Sequence, residues 1–516
     1  MLNSKIILCQ GINLDRNYTN VLNYTESEML ELCQSKSIVS AENFSFIRVT
    51  NTIRVPFSYE KCLQANYLAF QNPDYSNKWF FAWVDEVMYK SDASCEISFT
   101  IDSWSTWFGK WNAKSCFVVR EHTNDDTIGA NTVPENLDIG EVVAESSYDS
   151  LLYTTSYLII ECNFDPFTKK KFSGLRITNN IFSGVKRYAF LYSASSVEAV
   201  SAFIAKVVEE GGSSDWIENI YVSPAILISD LLVDYQFIYE ETAYNCYILK
   251  GSTTVKEQEQ NRPKLHSFSG INVKNNKCFS YPYNYLYVTN HNGNDNIYRY
   301  EDFSDTDNAT FKIIGALTVG ASMKLVPVNY KGADDCDEES IPLGKLPTIS
   351  WSSDAFTNWL TQQAVNIPTQ IASSVVSAVA TGNAMSIAST TASVIGQFYS
   401  ASLLPNVEQG SNTADVTFAR GKNTFTFRQM HAKAEYIKII DDYFSRFGYK
   451  INRVKKPNIT GRQYFNYVEI GSDEIIGYGT VPTVYMNEIN QACRKGVTIW
   501  HTHDRIGNFD LDNPII

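Results

Sequence analysis

Between Asp354 and Glu408 the chain carries no Lys, Arg, Asp, Glu or His, although 43 basic and 56 acidic residues are spread over the rest of its 516 residues. Inside that gap, Gln370, Ser373, Ser374, Ser377 and Thr381 fall at i, i+3, i+4, i+7 and i+11. Ser386, Ser389, Thr390, Ser393 and Gln397 repeat the spacing, and Ser400 extends it. Residues so spaced line one face of a helix. The opposite faces carry Ile371, Val375 and Val379 in the first segment, and Ile387, Val394, Ile395 and Phe398 in the second. Thr381-Gly382-Asn383 supplies turn chemistry between them, and Pro368 and Pro405 bracket the pair. The pattern predicts an uncharged, amphipathic helical hairpin.

Such a hairpin suits a soluble core, where a stripe of this kind is most often found. It also suits a membrane, though as a weak anchor. Ile371 to Ala380 is too short to cross a bilayer, which takes about 20 residues. Ala384 to Leu404 is long enough, but holds many hydroxyls and Gly396. Small and hydroxylated residues do favour close helix packing in lipid once copies associate. The stretch alone leaves both readings open.

The length allows two or more domains and a large core. Aromatic residues make up 13%, with 31 Tyr, which suits strand-rich architecture. A formal net charge of -13 argues against tight nucleic-acid binding, which needs clustered Lys and Arg. An acidic wall does have a use beside DNA, since it repels a passing duplex. The ten Cys are scattered singly with no CxxC, so free buried thiols in a reducing compartment are expected, with no zinc or redox site. Ile6 to Cys9 is too short an apolar run for a signal peptide, and Asn17-Tyr18-Thr19 is expected to stay unglycosylated.

The first 122 residues read as strands with one helix. Ile6 to Ile12 is a strand, Ser58 to Phe70 a helix, and Trp79 to Val84 a buried strand. Cys95 to Asp102 alternates with period two and is joined to the preceding strand by a hairpin loop over Tyr89 to Ser94. Trp104, Trp107 and Trp111 follow at helical spacing, where core packing is the expected role, and Cys116 to Arg120 resumes as strand.

The series Trp79 to Val84, Asp85, then Ile97 to Trp107, then Val119-Arg120-Glu121-His122-Thr123 resembles the N-terminal tube domain of the tail-knob, or distal tail tube, proteins of small short-tailed (podovirus) Bacillus-type phages. A second match lies near the other end. Asp442-Tyr443-Phe444-Ser445-Arg446-Phe447-Gly448-Tyr449, Asn452-Arg453, Pro457-Asn458 and Tyr464-Phe465-Asn466-Tyr467-Val468 resemble the C-terminal signature of the same family. So does the ending, a helix through Asn487 to Lys495 and Gly496 before Val497 to His501. The two matches stand in the right order and flank the uncharged stretch.

Between them, residues from about 145 to 345 form a β-rich region. Leu158 to Cys162, Ile220 to Ile228 and Tyr235 to Leu249 read as strands, and Val197 to Glu210 as a helix ended by Gly211-Gly212. Asn290 to Asn296 turns the hairpin between Tyr283 to Val288 and Ile297 to Tyr300. The acidic run Asp334, Asp335, Asp337, Glu338, Glu339 lacks the glycine and spacing of a calcium loop and reads as a solvated turn. After the uncharged stretch, Asp415 to Phe418 and Thr424 to Phe427 are strands. A helix follows from about Ala432, with Ile437, Ile440, Phe444 and Phe447 on one face and Gly448 as its terminator. Tyr449 to Val454 and Tyr464 to Ile470 are strands.

No catalytic constellation is recognisable: there is no P-loop, GxSxG or HExxH. A glycosidase carboxylate pair leaves no signature by which sequence would exclude it. On a strand, His501 and His503 would share one face and begin a metal site, but no third ligand is apparent. The expectation is no enzyme, no catalytic residue, no metal and no cofactor. A cell-wall-degrading tail enzyme is the weaker alternative.

The expected fold is therefore α+β and β-rich, a tube-forming tail domain built from N- and C-terminal segments with an inserted β-rich region and a long uncharged loop, helical or disordered. The expected boundaries are 1–145 for the N-terminal tail tube domain, 146–346 for the β-rich middle, 347–412 for the uncharged loop and 413–516 for the segment that completes the knob. The resemblance implies a virion protein made in the host cytoplasm, assembled as a homo-oligomer, a hexamer in the family, beside other tail proteins. It implies a lumen for phage DNA and apolar loops that plug it, then enter the host membrane as a pore. Carried onto this chain, the loop is Ala355 to Val407, with the departure that it is rich in Ser and Thr. The alternative is a purely structural tube protein with a packed loop.

Overall fold

The computed structural model describes residues 4–349 and 425–516, except for positions 43, 48–49, 72, 74–75, 151–155, 172–175, 179–180, 184, 193, 213–215, 251–254, 291–292, 317–321 and 346–347. The chain divides into two units. The first joins Met1–Val142, Ser267–Tyr283 and Ala432–Ile516; the second joins Val143–His266 and Asn284–His431.

In the first unit, a seven-stranded antiparallel sheet runs in the order 37–42, 5–9, 67–71, 79–91, 94–101, 52–55, 45–47. The strand Tyr67–Gln71 overturns part of the helix expected over Ser58 to Phe70. The helix is one turn, Tyr59–Cys62, and the chain then enters the sheet interior. Tyr67, Leu68, Ala69 and Phe70 are all buried, because this strand lies between two others and is covered on both faces. A continuous apolar run of that kind carries neither the helix nor the strand period. Helix Glu26–Ser35 begins with a reciprocal cap, in which Thr25 N–H donates to Glu28 at 2.7 Å and the Thr25 hydroxyl accepts from Glu28 N–H. It buries Met29 and Cys33 against Ile7, Cys9, Tyr67, Phe81 and Trp83.

A second, five-stranded sheet takes strands from both ends of the chain, in the order 20–22, 497–500, 465–470, 116–121, 449–455. Asn20–Leu22 pairs in parallel with Val497–Trp500, and the other pairs are antiparallel. The two terminal regions therefore close one domain. The tilted rings of Phe465 and Trp500 pack with centroids 4.6 Å apart in the same core as Tyr67 and Trp83. Trp104, Trp107 and Trp111 are buried as expected; Trp104 and Trp107 lie on the short helix Ser103–Trp107, whereas Trp111 begins the strand Trp111–Ala113. Helix Ala434–Phe447 buries Ile437, Ile440 and Phe444, and ends at Gly448, whose φ of 64° favours glycine.

In the second unit, a six-stranded sheet runs 232–239, 242–249, 186–191, 156–162, 217–224, 348–349. Helix Val197–Gly211 covers it, burying Val200, Phe203, Ile204 and Val207 against Leu158, Ile160, Tyr188 and Phe190. Two sequence expectations change here. The strand expected over Ile220 to Ile228 ends at Pro224, and Ala225–Ile228 is helical. The stretch Tyr235 to Leu249 lies in a hairpin, Leu232–Tyr239 with Thr242–Leu249, turned by Glu240 and Glu241 at φ 47° and 66°. The remaining strands form a sheet of 255–263, 308–316, 322–330 and 333–335, with 341–345 also on 322–330, and a sheet ordered 142–149, 426–432, 284–289, 295–298. Phe303, Phe311, Tyr298, Tyr330 and Phe427 fill the core beside these sheets. The chain is β-rich α+β, as its composition suggests.

Candidate functional site

The eighteen residues that carry the hairpin pattern lie between positions 370 and 400, outside the described residues, as does the strand expected over Asp415 to Phe418. What the structure describes is the two roots of that segment, both in the second unit. On the N-terminal side, Ile341–Lys345 lies on Ser322–Tyr330, and Thr348–Ile349 pairs with Tyr221 and Ile220. On the C-terminal side, the Phe425 carbonyl accepts from Ser150 N–H at 2.7 Å. Thr426–Ala432 then runs antiparallel to Asn284–Thr289, with Thr426 opposite Thr289 and His431 opposite Asn284.

Packing and polar contacts hold the second root in register. Phe425 and Phe427 are buried in the core with Phe311 and Tyr298. The Arg262 guanidinium lies 4.5 Å from the Phe427 ring centre, the Thr426 hydroxyl donates to Asp149 at 2.6 Å, and the Gln429 amide donates to the Pro263 carbonyl at 2.6 Å. A slip of one residue would turn Phe425 and Phe427 out of the core, so burial fixes where the segment re-enters the fold.

The acidic run has cationic partners. Asp335 pairs with Lys312 at 3.0 Å, Asp337 with Lys324 and Glu339 with Lys331. The Lys331 ammonium, helped by the Asn296 amide, holds the Glu339 carboxyl below its ordinary range. Asp335, Asp337 and Glu339 pair with three different cations around strand 322–330 and its neighbours instead of converging on one point. Among the described residues no three His, Cys, Asp or Glu are gathered for a metal ion.

The two histidines do not share a strand face. The strand ends at Trp500, His501 donates its N–H to the Tyr464 carbonyl at 2.9 Å, and His503 opens a single 3-10 turn. The His503 Nδ1 lies 3.2 Å from Asp504, and its Nε2 accepts from Asn13 N–H at 3.5 Å. Both ring nitrogens of His503 thus serve the local fold.

A cluster absent from the sequence expectations lies in the first unit. Glu135, with a fully buried side chain, contacts the Arg120 guanidinium and the Lys277 ammonium, and accepts from Lys450 N–H at 2.8 Å. Arg120 also donates to the Gly448 carbonyl at 2.9 Å, and Lys277 to the Val133 carbonyl at 3.0 Å. The strandless 123–140 stretch is held by these charges. Its partners are up to 315 residues away along the chain, so no local spacing announces them.

Comparison with known proteins agrees with this architecture. A family model described as the C-terminal domain of the tail knob protein gp9 of Bacillus phage phi29 matches residues 247–514, just over half of the chain. A model of the N-terminus of caudoviral major tail proteins matches residues 2–112. The tail knob protein gp9 of Bacillus phage phi29 is 24% identical over 90% of this chain and 90% of its own length, and that of Bacillus phage PZA is 24% identical over 92% and 90%. Among solved structures, the tail knob protein gp12 of bacteriophage C1 superposes with a TM-score of 0.65 at 17% identity, over 99% of this chain and 100% of its own, a likeness of fold. With its C-terminal half matched by the family model and its N-terminal part by a tail-protein model, the chain belongs to the tail knob proteins of the short-tailed Bacillus phages, structural components of the virion tail.

Proposed function

We propose that this tail knob protein forms a closed homo-oligomeric tube, a hexamer, through which the genome leaves the particle, and that residues Ala355 to Val407 plug the lumen and then enter the host membrane as a pore. The observation that carries this reading is the absence of charge across that stretch in a chain of this family. The two roots of the segment, seated in sheets of the second unit, support it: a loop held at both ends can change its surroundings while its frame stays folded.

Within the tube, six hairpins bury Ile371, Val375, Val379, Ile387, Val394, Ile395 and Phe398 against one another, with their hydroxyls hydrogen-bonded. Released, they turn those faces to lipid and line an aqueous path with Ser373, Ser374, Ser377, Ser386, Ser389, Thr390, Ser393 and Gln397. Helical segments satisfy their own backbone groups in hydrocarbon. One buried charge per copy would cost about 2.5–3.5 kcal/mol on insertion, multiplied around a ring. Among the described residues no helix is long and apolar enough to cross a membrane.

The role is mechanical, without catalytic residues, metal or cofactor. An acidic lumen wall, in keeping with the net charge of -13, lets phage DNA slide without sticking. The other partners are neighbouring tail proteins, the host membrane and further copies of the chain. Electron microscopy of the purified protein should show closed rings, and liposomes should protect the 355–407 segment from protease. Monomers at every concentration would refute the tube, and a segment protected equally without membranes would favour a packed loop.

A further inference from the structure

Cys62 closes the one-turn helix Tyr59–Cys62, and Cys95 lies on strand Ser94–Ile101. Their Sγ atoms are 2.7 Å apart, and both residues are fully buried. Cys95 is fixed on both sides, opposite Val55 on one strand and Tyr89 on the other. The Cys9 thiol donates to the Cys33 carbonyl at 3.3 Å and also interacts with the Cys33 thiol. The thiols of Cys62 and Cys95 are in direct contact, which places the two sulfurs within reach of one another.

Residues adjoining the buried pair reach solvent. Leu63, next to Cys62, is 55% exposed, and Tyr89, the cross-strand partner of Cys95, is 57% exposed. Tyr59 and Tyr89 meet edge to face at 6.2 Å beside them. A virion protein also meets two redox conditions, a reducing cytoplasm during synthesis and the medium outside after release.

We propose that Cys62 and Cys95 are an oxidative lock, two thiols when the chain is made and a disulfide once the particle has met peroxide. The oxidant is hydrogen peroxide, a small neutral molecule. One sulfur attacks a peroxide oxygen, the O–O bond breaks, and the other oxygen leaves as water, giving a sulfenic acid. The second thiol attacks that sulfur, the S–S bond forms, the S–O bond breaks, and a second water leaves with the remaining protons. The two sulfurs together give up two electrons, and one peroxide becomes two waters. Burial raises both thiols above their ordinary range, which keeps the thiolate scarce and the reaction slow. The pair is therefore a lock set once and not a rapid sensor. It closes a loop spanning 33 positions and bolts the short helix to the seven-stranded sheet.

The test treats the full-length folded chain with hydrogen peroxide, then unfolds it in iodoacetamide and maps its peptides by mass. The expected result is one cross-linked product joining the Cys62 and Cys95 peptides, with most other cysteines recovered alkylated. The thermal midpoint of the first unit should rise by about 5–10 °C on oxidation and stay put in Cys95→Ser. Recovery of both peptides as free alkylated thiols, or as sulfinic acids without a cross-link, overturns the proposal. So does a cross-link that forms only after the chain has been unfolded. The mapping needs no variant, so a folding defect in Cys95→Ser does not affect it.

Discussion

The Asp441 carboxylate, on the buried face of helix Ala434–Phe447, accepts from both nitrogens of Asn275: the backbone N–H at 2.9 Å and the side-chain amide at 2.9 Å. It also takes Lys274 N–H at 3.0 Å. One carboxylate thus fixes the short return of the chain, Ser267–Tyr283, to a helix more than 160 positions further on, within the same unit. Asp441→Ala strands the backbone N–H groups of Lys274 and Asn275, while the Asn275 amide keeps the residue 441 carbonyl and the Ser445 hydroxyl. The substitution should lower stability by about 2–3 kcal/mol; Asp441→Asn, which keeps one acceptor oxygen, should lose roughly half as much. Chemical denaturation of the three proteins checks the order.

Around Glu135 the arithmetic of charge gives a sharper ordering. Two buried cations, Arg120 and Lys277, share one buried carboxylate, and desolvation already pulls the Lys277 ammonium below its ordinary range. Glu135→Gln keeps the shape but leaves both cations without a counter-charge, and should cost about 3–5 kcal/mol. Lys277→Met leaves Arg120 and Glu135 as a balanced pair and should cost clearly less. Equal losses in urea titrations would mean that the cluster does not act as one charge-balanced unit.

His122 predicts an acid limit. Its Nδ1 accepts from Tyr467 N–H at 2.7 Å and its Nε2 faces the Ser445 carbonyl at 3.1 Å, which assigns the neutral Nε2–H tautomer. Burial, with the Arg462 charge nearby, lowers its pKa from 6.5 to about 3. A folded pKa below the unfolded one means that the unfolded chain takes up the proton first. The contribution of His122 is then complete above about pH 6.5 and is lost as pH falls towards 3. Between pH 7 and pH 4 it should amount to a loss of about 2–3 kcal/mol. His122→Gln should be less stable at pH 7 yet fall less over that range. Carboxylates titrate in both proteins, so the difference between the two profiles isolates the imidazole.

Much of the frame was legible because period and punctuation agreed. Cys95 to Ile101 alternates, with one face on the core, and it forms the strand expected. Gly448 and Gly496, which the sequence placed just past two helices, have φ of 64° and 90° at those termini. Three features were not legible. Tyr67 to Phe70 is apolar at every position because neighbours cover both faces, and that run has no period to read. The Glu240-Glu241 turn adopts the left-handed conformation with residues that rarely signal it, so the hairpin over 232–249 passed for one strand. The Glu135 cluster joins residues remote in sequence, where spacing carries no signal. The hairpin residues rest on helical periodicity alone, since they lie outside the described residues.

The account turns on the uncharged segment, and dye leakage from liposomes tests it most directly. Val394→Asp places a charge in the middle of the second apolar face, so each copy in the ring carries an insertion penalty of about 2.5–3.5 kcal/mol, while the strands that root the segment are untouched. Ser393→Thr keeps the hydroxyl face. The prediction is that both variants assemble as the parent does, that leakage drops sharply with Val394→Asp, and that it hardly changes with Ser393→Thr. If Val394→Asp leaks as well as the parent, or abolishes folding of the whole chain, the segment is a packed part of the tube and not its membrane-active element.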